Sequence, residues 1–176
     1  MNNKLSFPLR PWRPEDAAAI VPYADDPLVA ENLRDVFPNP YRLQDAEAYV
    51  RCCVEQEGQG QLCRAIVIDG SPCGSIGLFR GTDVYQKNAE LGYWLGRPYW
   101  GRGVITGAVK AICREGFAAW DIARIYAEPY DRNLGSRRVL EKAGFTLEGT
   151  LRSSVWKQGQ LLDSRIYSLL REECVP

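Results

Sequence analysis

The sequence has 176 residues, of which 45% are hydrophobic, and this is enough for one domain with a sizeable core. Lysine plus arginine and aspartate plus glutamate both total 22, so no net positive charge attracts nucleic acid or an anionic membrane surface. Because histidine is absent, catalytic triads with an imidazole base and HExxH zinc sites are excluded. We expect no nucleic-acid or membrane partner and no metal.

The chain is expected to be a single domain over residues 1–176, located in the cytoplasm. No segment approaches the roughly 18 consecutive apolar residues of a membrane span, and Met1–Lys4 lacks the layout of a signal peptide. The cysteines form no C-x-x-C pair, so we expect them to be reduced and mostly buried as small hydrophobic residues. They are Cys52, Cys53, Cys63, Cys73, Cys113 and Cys174.

The first half of the chain is predicted to contain a strand, three helices and then three strands. Proline at the first helical position and acidic residues in the first turn mark the first helix, at Pro14 with Glu15 and Asp16. The turn Asp69-Gly70-Ser71-Pro72 separates two apolar runs and predicts a hairpin. The predicted strands are 5–9, 63–68, 73–79 and 89–95. Two further helices are predicted at 27–35 and 43–57, with a turn at 37–41 between them and a loop at 57–61.

In the second half, helices alternate with strands, which is typical of crossover connections in an α/β protein. The helix after Gly103 has one apolar stripe, formed by Val109, Ile112, Cys113, Gly116, Phe117 and Trp120. Gly144 is placed to end a helix over 136–142. Strands are predicted at 124–128, 145–151 and 161–170, which together with the first half give a mixed sheet.

The segment from Glu90 to Thr106 combines a strand, a glycine-rich turn and the start of a helix. Gly101 and Gly103 let main-chain N–H groups converge, and the new helix adds unpaired amides and the positive end of its dipole. Such a turn suits a pyrophosphate. The spacing alone is more typical of an ordinary tight turn.

This segment resembles the acetyl-CoA loop of the GNAT superfamily of N-acetyltransferases, and its Tyr-Trp-Gly-Arg-Gly sequence is similar to the RimJ/RimL branch. Further motifs follow in the family's order. They are Asn133-x-x-Ser136, Val139–Phe145, Glu148–Arg152 and Asp163 ahead of Tyr167–Leu170, while Leu9–Asp16 resembles the family's opening. The likeness covers nearly the whole chain and is weakest over residues 25–60.

The resemblance implies the GNAT fold, with a central mixed, mostly antiparallel sheet that splays at the cofactor site between flanking helices. It implies that the pantetheine arm pairs with the main chain of Tyr93, Trp94 and Leu95. The pyrophosphate is expected at the amides of Arg102, Gly103, Val104, Ile105 and Thr106. The family prefers a smaller residue at Ile105, so that side chain must point away from the phosphates. Arg97 and Arg102 are candidates for charge contacts with the phosphates.

Two residues of the second half complete the expected site. The resemblance places Asn133 against the pantetheine arm and Ser136 near the departing thiolate. The residue pattern alone predicts that Asn133 caps a helix, and both roles are compatible because its amide has donor and acceptor groups. Ser136 is best described as a hydrogen-bond donor to sulfur or a water relay.

The proton acceptor has two candidates, Glu90 and Glu128, because each is on a strand that flanks the splayed gap. We take Glu90 as the first candidate. The alternative is that Glu90 and Glu128 are ordinary strand carboxylates, paired with arginine or lysine. Backbone amides near Trp94 are placed to bind the oxyanion. Direct transfer is expected, because Cys113 is on the buried stripe and unsuited to carry an acetyl group.

Three functions remain open from the sequence. The first is acetylation of a polypeptide N-terminal amine, as the RimJ/RimL likeness implies. The second is acetylation of a small amine such as a polyamine, an amino acid or an antibiotic. The third is a catalytically silent acetyl-CoA-binding module. A homodimer through an exposed strand edge is also possible on this pattern.

Overall fold

The computed structural model describes residues 8–174 and contains one seven-stranded sheet in the order β1-β2-β3-β4-β5-β7-β6. Every neighbouring pair is antiparallel except β4 and β5, which are parallel. The predicted mixed, mostly antiparallel sheet is confirmed. The strands are β1 Leu9–Pro11, β2 Gln61–Ile68, β3 Ser71–Arg80, β4 Asn88–Leu95, β5 Arg124–Ala127, β6 Thr146–Lys157 and β7 Gln160–Leu170.

The helices cover both faces of the sheet. They are α1 Ala17–Ala24, α2 Pro27–Ala30, α3 Leu43–Glu55, α4 Val104–Ala119 and α5 Leu134–Ala143. Buried side chains of α4 and α5 form one core with the sheet, and those of α1 to α3 form a second core on the opposite face. Trp94 belongs to the second core, whereas Leu91 and Leu95 belong to the first, as simple alternation along β4 predicts.

The predicted helix over residues 27–35 is wrong in its length, because α2 has only four residues. Its start is as expected, with Asp26 capping the Leu28 amide at 2.9 Å. Beyond it, the Leu33 carbonyl accepts hydrogen bonds from Tyr130 at 3.1 Å and Lys157 at 2.8 Å instead of bonds within a helix. Distant side chains therefore decide the path of this segment.

Two strand predictions also differ from the structure. The strand expected at 5–9 is observed at Leu9–Pro11, and residues 5–7 lie outside the described part of the chain. The strand expected to end at Leu151 continues to Lys157, because the ladder with β7 tolerates a bulge between Leu151 and Val155. The result is a long hairpin that ends one side of the sheet.

The α4 prediction is confirmed for five of its six stripe positions, which are all buried. Trp120 lies one residue beyond the helix in extended conformation and packs partly against the same core. Gly144 ends α5 with a φ of 99°, in the left-handed region that glycine adopts easily. Four of the six cysteines are buried, as expected; Cys52 is exposed and Cys174 is partly buried.

A gap opens between β4 and β5, and this gap positions the candidate site. The parallel ladder has only three Cα pairs and ends where Glu90 faces Tyr126. The remaining residues of β4, up to Leu95, pair with β3 alone. The expected splay is therefore present in the second half of β4.

Gly74→Ala is expected to lower the free energy of unfolding by about 1–3 kcal/mol, the usual cost of overpacking. A Cβ at Gly74 would approach the Trp94 carbonyl oxygen at 2.6 Å and the Leu95 Cα at 3.0 Å, and main-chain atoms cannot rotate away. Urea unfolding measures the change. Gly92→Ala, whose Cβ would meet nothing nearer than 3.8 Å, is the matched control and should unfold like the wild type.

Candidate active site

The free edge of β4 offers main-chain groups to the gap. The Gly96 N–H donates to the Cys73 carbonyl of the β3 side at 2.8 Å, and the Lys87 carbonyl accepts from Ala123 on the β5 side at 2.8 Å. Because main-chain groups alternate along a strand, those of Tyr93 and Leu95 point into the gap. The main-chain groups of Trp94 face β3. The contact predicted between the main chain of Trp94 and the cofactor stays a prediction, and the direction of these groups does not support it.

The glycine loop has the conformation that an anion cradle requires. Gly101 and Gly103 have φ values of 72° and 76°, and Gly103 is the residue immediately before α4. A Cβ at either glycine would meet no atom within 4 Å, so open space lies in front of both. The amides of Val104, Ile105 and Thr106 open α4 and have no partner within the helix. These residues fit a bound pyrophosphate.

Two bulky residues of the loop are accommodated without filling the cradle. Ile105 packs partly against the first core, so its side chain leaves the amide accessible. The indole N–H of Trp100 donates to the Leu95 carbonyl at 2.7 Å. Trp100 therefore ties the loop to the end of β4.

The arginines of the loop differ in their surroundings. Arg97 donates to the Asp26 carboxylate at 2.9 Å and is already neutralised by it. The guanidinium carbon of Arg102 lies 5.8 Å from the centroid of the Tyr99 ring. Of the two, Arg102 has the freer charge for a phosphate contact, which stays a prediction.

Ser136 and Asn133 are brought to the gap by the start of α5. Asn133 caps the helix, since its Oδ1 accepts the Ser136 N–H at 3.1 Å. Its amide nitrogen makes no hydrogen bond with residues 8–174, so two donors remain available for a ligand. The Ser136 hydroxyl lies 2.6 Å from the Tyr93 phenol oxygen.

The Tyr93 side chain is a site feature that the sequence does not reveal, because the family resemblance gives a role only to the main chain of this residue. Burial raises the pKa of Tyr93 above its usual value, so the phenol stays protonated and serves as a donor. A phenol is a stronger donor than an alcohol. When Tyr93 donates to the Ser136 oxygen, the Ser136 proton is free to point into the gap.

On the face of the sheet opposite to the Tyr93 side chain, Glu90 forms an ion pair with Arg34 of the segment after α2. The Glu90 side chain is 27% exposed and that of Arg34 66%. Tyr126 is the Cα partner of Glu90, and burial, followed by the charge of Glu90, raises the pKa of its phenol. The carboxylate predicted as the base is thus at the gap and has a cation next to it.

Glu128 lies just beyond β5 and lines a cavity of about 370 Å³, which we call the hairpin cavity. One oxygen of its carboxylate, Oε1, accepts from the Ser164 hydroxyl at 2.6 Å. The wall of the hairpin cavity consists of Arg34, Asp35, Glu128, Tyr130, Ser154, Val155, Trp156 and Lys157. Arg34 therefore links the Glu90 carboxylate to this cavity.

The Cys113 thiol is not part of the site. It is 1% exposed inside the first core, and burial raises its pKa, so the thiolate that a nucleophile requires is disfavoured. This agrees with direct transfer of the acetyl group.

The sequence profile described as "Acetyltransferase (GNAT) domain" matches residues 7–146. The chain belongs to the GNAT acetyltransferase family. The putative ribosomal N-acetyltransferase YdaF of Bacillus subtilis is 29% identical over 151 residues, covering 86% of this chain and 76% of the relative. An uncharacterized N-acetyltransferase, p20 of Bacillus licheniformis, is 30% identical over 168 residues, covering 94% and 93%.

Among solved structures, Mycobacterium smegmatis RimJ in complex with CoA-disulfide superposes with a TM-score of 0.79 at 25% identity, covering 96% of this chain and 86% of that chain. The predicted membership of the GNAT family and of its RimJ/RimL-like branch is confirmed. The GNAT activity is transfer of an acetyl group from acetyl-CoA to an amine, so acetyl-CoA is the cosubstrate of this enzyme. Within residues 8–174, no helix has the length and apolar character needed to cross a membrane.

Proposed function

We propose that this enzyme acetylates the N-terminal amine of a polypeptide by direct transfer from acetyl-CoA. The observation that carries the proposal is that Arg34, the ion-pair partner of Glu90, also lines the hairpin cavity. We call this side of the gap the acceptor side. Two side chains that line the cavity, Arg34 and Trp156, are 66% and 67% exposed, so the rest of a long acceptor can extend into solvent. The similarity to a putative ribosomal N-acetyltransferase supports a protein acceptor.

The cosubstrate contacts belong to the same proposal. The main chain of Tyr93 and the N–H of Leu95, whose carbonyl accepts the Trp100 indole N–H, would pair with the pantetheine arm, in the way a strand is added to a sheet edge. The residues from Arg102 to Thr106 would hold the pyrophosphate. The free amide group of Asn133 would bind the pantetheine arm.

The chemistry assigned to the side chains follows from their charge and direction. Acetyl-CoA supplies the activated acetyl group. Glu90 would accept the proton of the acceptor ammonium, directly or through one water, which frees the nitrogen lone pair for attack. Ser136, oriented by Tyr93, would donate a hydrogen bond to the sulfur as it gains negative charge. Main-chain N–H groups that point into the gap would bind the oxyanion.

A thiol-release assay with acetyl-CoA tests the proposal on a panel of peptides, polyamines and free amino acids. We expect release with peptides and an acetyl group on the α-amine by mass spectrometry. Turnover confined to polyamines or amino acids would favour the small-amine alternative. Tight CoA binding without turnover on the whole panel would favour the binding module.

Ser136→Ala is expected to lower kcat by about 10- to 100-fold, the scale of one lost hydrogen bond to a charged group. The KM for acetyl-CoA should change little, because this contact strengthens only as the sulfur becomes negative. Asn133→Ala should instead mainly raise the KM for acetyl-CoA. Steady-state kinetics on both variants measure the difference, and equal effects on both constants would contradict these roles.

Tyr93→Phe is expected to lower kcat by about 3- to 10-fold, the scale of one neutral hydrogen bond. Without the phenol, Ser136 can turn its proton away from the gap, so the effect should vanish when Ser136 is already alanine. Kinetics of the two single variants and the double variant measure this coupling. Additive losses would show that Tyr93 does not act through Ser136.

A further inference from the structure

The charges of the hairpin cavity leave one carboxylate without a cation. Arg34 is paired with Glu90. Lys157 is paired with Asp35 at 2.6 Å and also donates to the Leu33 carbonyl at 2.8 Å. Among residues 8–174, no lysine or arginine pairs with Glu128. A half-buried carboxylate with a free oxygen attracts a positive charge from outside the chain.

The wall of the hairpin cavity that contains Glu128 also contains an indole, that of Trp156. Trp156 is 67% exposed near the end of β6, opposite Leu161, which is 62% exposed. The face of an indole is the aromatic surface that binds cations best. A lysine or arginine side chain can lay its methylene groups on such a ring while its charge reaches a carboxylate.

We propose that the hairpin cavity is a subsite for a positively charged side chain next to the acceptor amine, and that Glu128 and Trp156 recognise it. This inference rests on the proposed function, in which the amine itself lies at Glu90. Glu128 follows Tyr126, the Cα partner of Glu90, by two residues, which is about 6.6 Å along a strand. One or two residues of an extended acceptor span that distance. The favoured acceptor is therefore a polypeptide with lysine or arginine directly after its N-terminal residue.

Three peptides that differ only at their second residue test the subsite. Lysine, norleucine and glutamate at this position vary the charge while the first residue stays serine. We expect kcat/KM for the lysine peptide to exceed that for the norleucine peptide by about tenfold, a typical combined effect of one ion pair and one cation–π contact. The glutamate peptide should be the poorest acceptor. The lysine preference should shrink in high salt, because ions screen a partly exposed pair.

Variants of the two recognising residues assign the preference. In Glu128→Gln, which keeps an oxygen for the Ser164 hydrogen bond, the lysine-to-norleucine ratio should fall to about threefold, the part that the cation–π contact with Trp156 contributes. Trp156→Ala changes an exposed side chain and should lower the same ratio by about threefold, the scale of one cation–π contact. Glu172→Gln removes the same charge from an exposed position after β7 and should keep the full preference. A full tenfold lysine preference in Glu128→Gln would overturn the inference.

Two further outcomes separate this inference from the proposed function. Equal rates for the three peptides would overturn the subsite and leave N-terminal acetylation intact. Acetylation of diamines but of no peptide, with the diamine rate dependent on Glu128, would overturn the polypeptide acceptor. An enzyme that acetylates nothing while it binds CoA would remove the proposed function itself.

Discussion

Gly103→Val is expected to weaken acetyl-CoA binding by about 100-fold, from the roughly micromolar affinity typical of a preformed cleft with phosphate contacts. The φ of 76° at Gly103 is strained for a β-branched residue, and relief of that strain would turn the first amides of α4 away from the cradle. The new side chain would also enter the open space in front of the loop, where the pyrophosphate is proposed to lie. Titration calorimetry measures the affinity.

Gly58→Val is the matched control for this variant. Gly58 has almost the same φ, 77°, and a Cβ there also meets no atom within 4 Å, but it lies in the loop between α3 and β2. The two variants should lose similar stability, while only Gly103→Val loses affinity. Wild-type affinity in folded Gly103→Val would show that this loop does not hold the phosphates.

The sheet and the glycine loop were predictable because their signals are local. Apolar runs broken by Asp69-Gly70-Ser71-Pro72 define the β2–β3 hairpin, and the stripe of α4 follows from helical spacing. Glycines just ahead of a helix predict a tight turn with converging N–H groups, and the family resemblance identifies that turn as the cofactor loop. Each of these features depends on residues that are neighbours in the chain.

The segment after α2 could not be predicted, because its hydrogen-bond partners come from the other half of the chain. Tyr130 and Lys157 reach the Leu33 carbonyl from 97 and 124 residues away. The Arg34–Glu90 ion pair joins residues 56 positions apart. Propensity at residues 27–35 favours a helix, and these tertiary contacts override it.

Within the site, the candidate residues can be predicted from the sequence, but the directions of their side chains and main-chain groups are evident only in the structure. The order of Tyr93 and Ser136 along the chain contains no sign that their hydroxyls meet. Likewise, the alternation of β4 is evident from the sequence, but which residues face the gap depends on the pairing with β3. The sequence therefore does not distinguish Trp94 from Tyr93 and Leu95, although its main chain faces the other way.

Glu90→Gln is expected to lower kcat by about 10- to 10⁴-fold, the usual range for a lost general base. Glutamine keeps the shape of the side chain but cannot accept the amine proton. Acetyl-CoA affinity should change little, because Glu90 lies on the acceptor side of the gap and precedes the segment proposed to pair with pantetheine. Steady-state kinetics and calorimetry separate the two effects.

The pH dependence of kcat distinguishes loss of a base from loss of an ion pair. If Glu90 accepts the proton, the acidic limb of the pH profile of kcat should disappear in Glu90→Gln, because glutamine does not titrate. Arg34→Gln removes the ion pair and keeps the carboxylate, so an acidic limb should remain. Glu128→Gln should also retain an acidic limb, since Glu128 is assigned to recognition. If Glu90→Gln keeps near-normal turnover and an unchanged pH profile while Glu128→Gln is inactive, the proton acceptor is Glu128. If both variants stay active, water takes the proton before the amine reaches the gap.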